Sequence, residues 1–290
     1  MYIIYFMNKI RLILAGTGEF SKTIFKSLVL NPNFEIKAII SQPNKKIDRN
    51  KNTINTPVSI LANEYNIPLF QPNKIKEIYD NLKDIECDFF ITAAFGQFIP
   101  NSILSLPKIM PLNVHGSLLE KYRGAAPIQY SLLNNDSYTG ITLIEMIDKM
   151  DAGDILKSFK INIEKSDTAV DLFAKLAKET AFIIGYWLID IYNGNYQRKI
   201  QDESLVTFAP KIKNEDAEIF QNLTTQEALN KIRAFNDQPG AFIILNNKRI
   251  KIFRATQNKI KSPLKIEFSD GFLYLIEYQF EGKKKIKYEI

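Results

Sequence analysis

The chain has 290 residues, 46% of them hydrophobic and 24% charged, with a mean hydropathy of −0.14, which is the profile of an ordinary folded protein of about two domains. The single cysteine, Cys87, excludes an internal disulfide and a cysteine-built metal cluster, and no run approaches the roughly 20 apolar residues of a membrane span. Net charge is +6 and unevenly spread: residues 1–205 hold 23 basic and 22 acidic side chains, whereas residues 206–290 hold 15 and 10, a composition that suits a polyanionic partner.

Along the chain, the apolar run Ile10 to Ala15 reads as a buried strand ending in Gly16-Thr17-Gly18, and a helical pattern follows from Ser21 to Leu30. Further strands are predicted at Glu35 to Ser41, Asp88 to Ala94, Met110 to Val114 and Ile141 to Met146. Helices are predicted between them at Pro57 to Tyr65 and Ala126 to Leu133. Such alternation implies an α/β domain with a Rossmann-like, mostly parallel sheet, whose ligands bind beyond the carboxyl ends of the strands. Residues 168–192 read as one long helix, buried along Ala181 to Tyr192. Beyond Phe208 the pattern changes to short β-like runs, Ala241 to Leu245, Ile250 to Phe253, Leu264 to Phe268 and Phe272 to Tyr278. The pairs Asn246-Asn247 and Asp270-Gly271 mark turns between them. The expected organisation is a catalytic domain over 1–192, a linker over 193–207, and a small antiparallel, OB-like β-barrel over 208–290.

Gly16-Thr17-Gly18 invites a dinucleotide reading. The third glycine of that fingerprint is replaced by Ser21, and Ser41-Gln42 stand where a ribose-binding acid is required, so a tight strand-to-helix turn is the better reading. His115 is the only histidine. It lies two residues after Asn113, so both side chains project from one face at the end of a strand. An amide donor beside an imidazole suits acyl transfer, the one polarising a carbonyl and the other handling protons. Two acids flank Gly153 in Asp151-Ala152-Gly153-Asp154; a carboxylate from that turn could orient His115, a contact that spacing alone does not establish.

Four segments taken together resemble the bacterial methionyl-tRNA formyltransferases. They are Asn113-Val114-His115-Gly116-Ser117-Leu118-Leu119, Tyr122-Arg123-Gly124-Ala125-Ala126-Pro127-Ile128-Gln129, Thr139-Gly140-Ile141-Thr142 and Asp151-Ala152-Gly153-Asp154. Ala94-Phe95-Gly96-Gln97, Gln201-Asp202-Glu203-Ser204-Leu205 and Ile232-Arg233-Ala234-Phe235-Asn236 extend the resemblance over roughly residues 8–285. It implies formyl transfer from 10-formyltetrahydrofolate to methionyl-initiator tRNA by a catalytic trio Asn113, His115 and Asp151, with His115 sharing the developing oxyanion charge. It further implies folate contacts at Ser117, Leu118, Leu119, Glu120, Phe95, Gly96 and Gln97. Contacts to tRNA are implied at Lys45, Lys46, Arg49 and Lys51 and across the basic second domain. No metal is implied, and the expected protein is a cytoplasmic monomer. Glu120 departs from the family, which usually carries proline there. The same catalytic domain also serves sugar-amine and glycinamide ribonucleotide formyltransferases, and a tRNA- or folate-binding relative without catalysis is a third expectation.

Overall fold

The computed structural model describes residues 9–44, 46–47 and 53–288. The described chain divides into two compact units. One holds the chain up to Arg123 with Gly140–Phe159 and Ala174–Val206; the other holds Gly124–Thr139, Lys160–Phe173 and Thr207 onward.

The first unit is organised by a seven-stranded sheet in the order Ile155–Asn162, Tyr138–Glu145, Met110–His115, Phe89–Ala93, Ile10–Gly16, Phe34–Ile40, Leu69–Phe70. The five strands from Met110–His115 to Leu69–Phe70 are parallel, and Tyr138–Glu145 runs antiparallel beside Met110–His115. Central strands of a parallel sheet are covered on both faces, which is why they read as unbroken apolar runs rather than alternating ones. Leu12, Ile13, Leu14, Ile39, Ile40, Phe89, Phe90 and Ile91 are all fully buried. Each such side chain contributes about 1.5–3 kcal/mol by leaving water. Cys87 belongs to this core, packed with Ile13, Phe90 and Ile103, and burial pushes its thiol up to about 12.

The helix after the first strand runs Glu19–Val29, two residues earlier than its pattern suggests, with Gly18 at its N-cap. Ser21 explains the turn before it. Its Oγ donates to the Ala93 carbonyl at 2.5 Å and accepts from Thr17 N at 3.2 Å, and a Cβ on Gly16 would lie 2.5 Å from the Ser21 Cβ. The glycine is required by that close approach, in keeping with the structural reading of the turn.

The long helix spans Ala169–Tyr192. Leu172, Leu176, Ile184, Trp187 and Leu188 are buried, and Phe159 packs on Trp187 at 5.9 Å between ring centroids. The expectation that Ala181 to Tyr192 is buried throughout is corrected: Phe182 is 78% and Tyr186 68% exposed, and Asp190 accepts from Lys157 Nζ at 2.8 Å. The apolar residues outnumber the positions on one buried stripe, so Phe182, Tyr186 and, in part, Tyr192 face solvent. Among the described residues no helix is long and apolar enough to cross a membrane.

The second unit carries an antiparallel sheet in the order Phe242–Leu245, Lys248–Thr256, Gly271–Phe280, Lys265–Phe268, with Ile286–Lys287 also paired to Gly271–Phe280. Asn246 and Asn247 both take positive φ, 49° and 57°, which a two-residue hairpin loop requires and asparagine tolerates. Among the described residues the pairings leave the ladder open between Phe242–Leu245 and Lys265–Phe268, so the sheet is OB-like in its antiparallel build without a closed ring. The unit also holds two helices, Pro127–Leu133 and Thr225–Ala234. The second of these is a helix within a region whose sequence reads as strands only. Its start is a capping box: the Thr224 side chain accepts from Glu227 N at 3.2 Å while the Glu227 carboxylate accepts from Thr224 N at 2.8 Å.

Candidate active site

Register builds the site. Parallel pairing places Gly16 beside Ala93, Ala93 beside Val114 and Thr92 beside Asn113, so the carboxyl ends of three central strands form one rim. His115 ends the third of them and pairs with Thr142 of the antiparallel neighbour.

Asn113, His115 and Asp151 come together at this rim. Thr92 Oγ1 donates to Asn113 Oδ1 at 2.7 Å, which fixes the orientation of the amide and turns Nδ2 toward Asp151 Oδ1, 3.1 Å away. His115 is 4% exposed. Its Nε2 lies 2.9 Å from the Tyr122 carbonyl, an acceptor only, so Nε2 carries a hydrogen. Its Nδ1 then faces Asp151 Oδ2 at 3.5 Å, an arrangement that is complementary when a proton lies between ring and carboxylate. Both ring nitrogens therefore face protein groups. Asp151 has φ of 51°, a left-handed conformation uncommon outside glycine. Gly153, two residues on, passes the Glu145 carbonyl so closely that a Cβ would lie 1.9 Å from it.

The loop after His115 is held from inside. Thr142 Oγ1 donates to the Ser117 carbonyl at 2.7 Å and accepts from Leu119 N at 3.1 Å. Ser117 Oγ donates to the Lys121 carbonyl at 2.6 Å, and Leu119 packs with Ile144 and Ile155. Leu118 is half-buried against Gly140. Glu120 is 8% exposed and accepts from Asp202 N and Lys199 Nζ, each at 3.2 Å. Desolvation alone would raise its carboxyl; those two donors, together with Glu120's own backbone N–H, outweigh it and hold Glu120 below the usual carboxylate range.

On the neighbouring rim segment, Phe95 lies in the core, and its carbonyl accepts from Gln42 Nε2 at 2.8 Å and Thr17 Oγ1 at 3.3 Å. Gly96 takes φ of 77°. Gln97 accepts from Ile75 N at 2.8 Å and donates to the Pro72 carbonyl at 3.1 Å. The side chains of Ser117, Leu119, Glu120, Phe95 and Gln97 thus all make contacts within the protein at the rim, with Leu118 and Gly96 beside them. Phe98 and Met150, on loops flanking the rim, are 76% and 70% exposed.

Lys45, Arg49 and Lys51 lie outside the described residues. Of Lys46 only the backbone is described, in a two-residue strand paired with Thr53–Ile54.

Three groups escape the sequence reading: Thr92, the Tyr122 carbonyl and Gln201. Gln201 falls in the stretch read as a linker, yet it is 6% exposed and bonded to the carbonyls of Asp151 and Gly153 at 2.9 and 2.7 Å. Strand register could have pointed to Thr92; the Tyr122 contact depends on how the loop after His115 turns back, and the Gln201 contacts on how distant segments meet.

Known proteins resemble the chain over most of its length. A formyl transferase family model matches residues 8–185, and a model for the formyl transferase C-terminal domain matches residues 211–289. The methionyl-tRNA formyltransferase of Mycoplasmopsis pulmonis is 50% identical, over 96% of this chain and 96% of its own length. The chain belongs to the methionyl-tRNA formyltransferase family. A second member, from Mycoplasma mycoides, is 41% identical over 96% of this chain and 93% of its own. In the solved structures, a sugar 3N-formyl transferase crystallised with dTDP and 5-N-formyl-THF shares the fold, with a TM-score of 0.69 at 24% identity over 96% of this chain and all of that one.

Proposed function

We propose that the protein transfers the formyl group of 10-formyltetrahydrofolate to the α-amino group of methionyl-initiator tRNA, acting in the cytoplasm as a monomer. The observation that carries this reading is the Asn113 amide held between Thr92 and Asp151, with His115 on the far side of the same carboxylate. The amine nitrogen attacks the formyl carbon, and the carbonyl electron pair moves onto oxygen. One Asn113 Nδ2 hydrogen faces Asp151; the other is aimed at the developing oxyanion, the kind of donor whose loss costs about 10²–10³ in rate.

Asp151 takes the proton the amine loses, and His115 stabilises the charge that the carboxylate carries until it does so. The carbon–N10 bond then breaks and N10 receives that proton. The balance is one formyl group moved to the amine and one hydrogen moved to N10, with no change in oxidation state. An α-amine titrates near ~7.7–8.0, so much of it is already nucleophilic and a strong base is not needed. His115 supports the reaction through Asp151 rather than by touching the oxyanion, since both of its nitrogens are engaged.

We place the folate against the backbone of 117–120, Leu118 and Gly96, with the 148–154 loop covering it and Phe98 and Met150 offering apolar surface. The tRNA is held by Lys45, Lys46, Arg49 and Lys51 and by the basic stretch 208–290, as contacts to phosphate that position without reading sequence. Incubating the protein with formyl-labelled 10-formyltetrahydrofolate tests the reading. Label on methionyl-initiator tRNA, and none on uncharged tRNA, is the expected result. Label on an amino sugar or glycinamide ribonucleotide in place of the charged tRNA would overturn it.

A further inference from the structure

We infer that Gln201 is a positioning residue for catalysis, the side chain that holds Asp151 in line with Asn113 and His115; this rests on the formyl-transfer reading above. The carboxylate of Asp151 reaches both partners from a backbone at φ of 51°. Aspartate enters the left-handed region more readily than most residues, but a carboxylate that meets two partners at once needs that backbone held in one place. Gln201 holds it. Its Nε2 donates one hydrogen to the Asp151 carbonyl at 2.9 Å and the other to the Gly153 carbonyl at 2.7 Å, pinning the loop on both sides of Ala152.

The amide is itself fixed. Its Oε1 accepts from Arg123 Nε at 2.9 Å, and the buried Arg123 guanidinium donates from both terminal nitrogens to Glu203 Oε1 at 3.0 Å. Only a primary amide meets this demand. A carboxylate could accept from Arg123 but not donate to two carbonyls; an ammonium or guanidinium could donate but not accept. The same short stretch also receives the loop after His115, through Asp202 N and Lys199 Nζ on Glu120. It is further anchored by reciprocal backbone bonds of 2.9 Å between Lys199 and Ile155. Residues 199–203 therefore set both catalytic loops from one side, with Gln201 reaching the catalytic carboxylate's own backbone.

His115 is the only histidine, so ¹⁵N-histidine labelling gives a single imidazole whose Nδ1 reports on Asp151. The parent protein, Gln201→Ala, Gln201→Glu and the reference Asp151→Asn are compared by NMR and by steady-state formyl transfer. Gln201→Glu keeps the shape and the Arg123 contact, so it answers the question should Gln201→Ala fail to fold. In both Gln201 variants the Nδ1 resonance should move toward that of Asp151→Asn. kcat should fall about 10- to 100-fold, the scale of a displaced catalytic group, with KM for donor and acceptor little changed. An imidazole spectrum that overlays the parent's, or an undiminished kcat, overturns the inference. If the parent itself transfers no formyl group, the proposed function fails, and the imidazole comparison alone still decides the geometry.

Discussion

Thr92 and Asn113 sit side by side in adjacent parallel strands, and the hydroxyl spends its hydrogen on the amide oxygen. That bond decides which end of the amide faces Asp151. Thr92→Val, of nearly the same shape, leaves the Asn113 oxygen without its donor and frees the amide to rotate; kcat should fall about tenfold, in line with ~1–3 kcal/mol for an orphaned buried acceptor. His115→Ala should lower formyl transfer by about 10²–10³ while folate still binds, because the ring supports the proton acceptor Asp151 and does not touch the folate. Titration calorimetry with folate beside turnover measurements separates the two effects, and near-normal turnover would remove His115 from the mechanism. Period-two spacing made the Asn113 and His115 pair legible, since residues two apart on a strand share a face. Spacing leaves the contact to Asp151 open, because it depends on where a loop 36 residues further on comes to rest.

At the scale of elements, the turn between Tyr138–Glu145 and Ile155–Asn162 owes its path to Gly153. Gly153→Ala forces a Cβ into the Glu145 carbonyl and should destabilise the protein by about 1–3 kcal/mol, read from the denaturation midpoint. The loop after His115 depends on Glu120, whose carboxyl is held below its ordinary value in the folded state. A depressed acid contributes stability that is complete above its unfolded pKa and is lost as pH falls through the folded value. Melting temperatures measured downward from about pH 6 should therefore drop through the acid range below 4.5 more steeply for the parent than for Glu120→Gln. The strands of the first unit were readable because full burial writes itself as apolar runs. The helix Thr225–Ala234 was not, because only part of its surface is apolar among Asn230, Lys231 and Arg233, although Thr224 and Glu227 carried its start signal.

Over the whole molecule, the excess charge lies in residues 206–290, a net of +5 against +1 for the rest. If that stretch meets tRNA phosphates, affinity should fall linearly in a plot of log K against log salt. Each lysine that contacts a phosphate, once changed to alanine, should make the slope shallower by about one. A slope unaltered by such changes would take the stretch out of tRNA binding. Charge asymmetry was visible in composition; the open path of the antiparallel ladder was not, because closure depends on which edges meet and not on how many strands there are. Cys87 carries a practical corollary. Sealed in the core with its thiol pushed up to about 12, it offers almost no thiolate to an alkylating reagent at neutral pH. Since the chain has no second cysteine, a thiol introduced at an exposed position such as Phe182 would be the sole target for a maleimide dye, and the parent protein already serves as the unlabelled background for distance measurements by fluorescence.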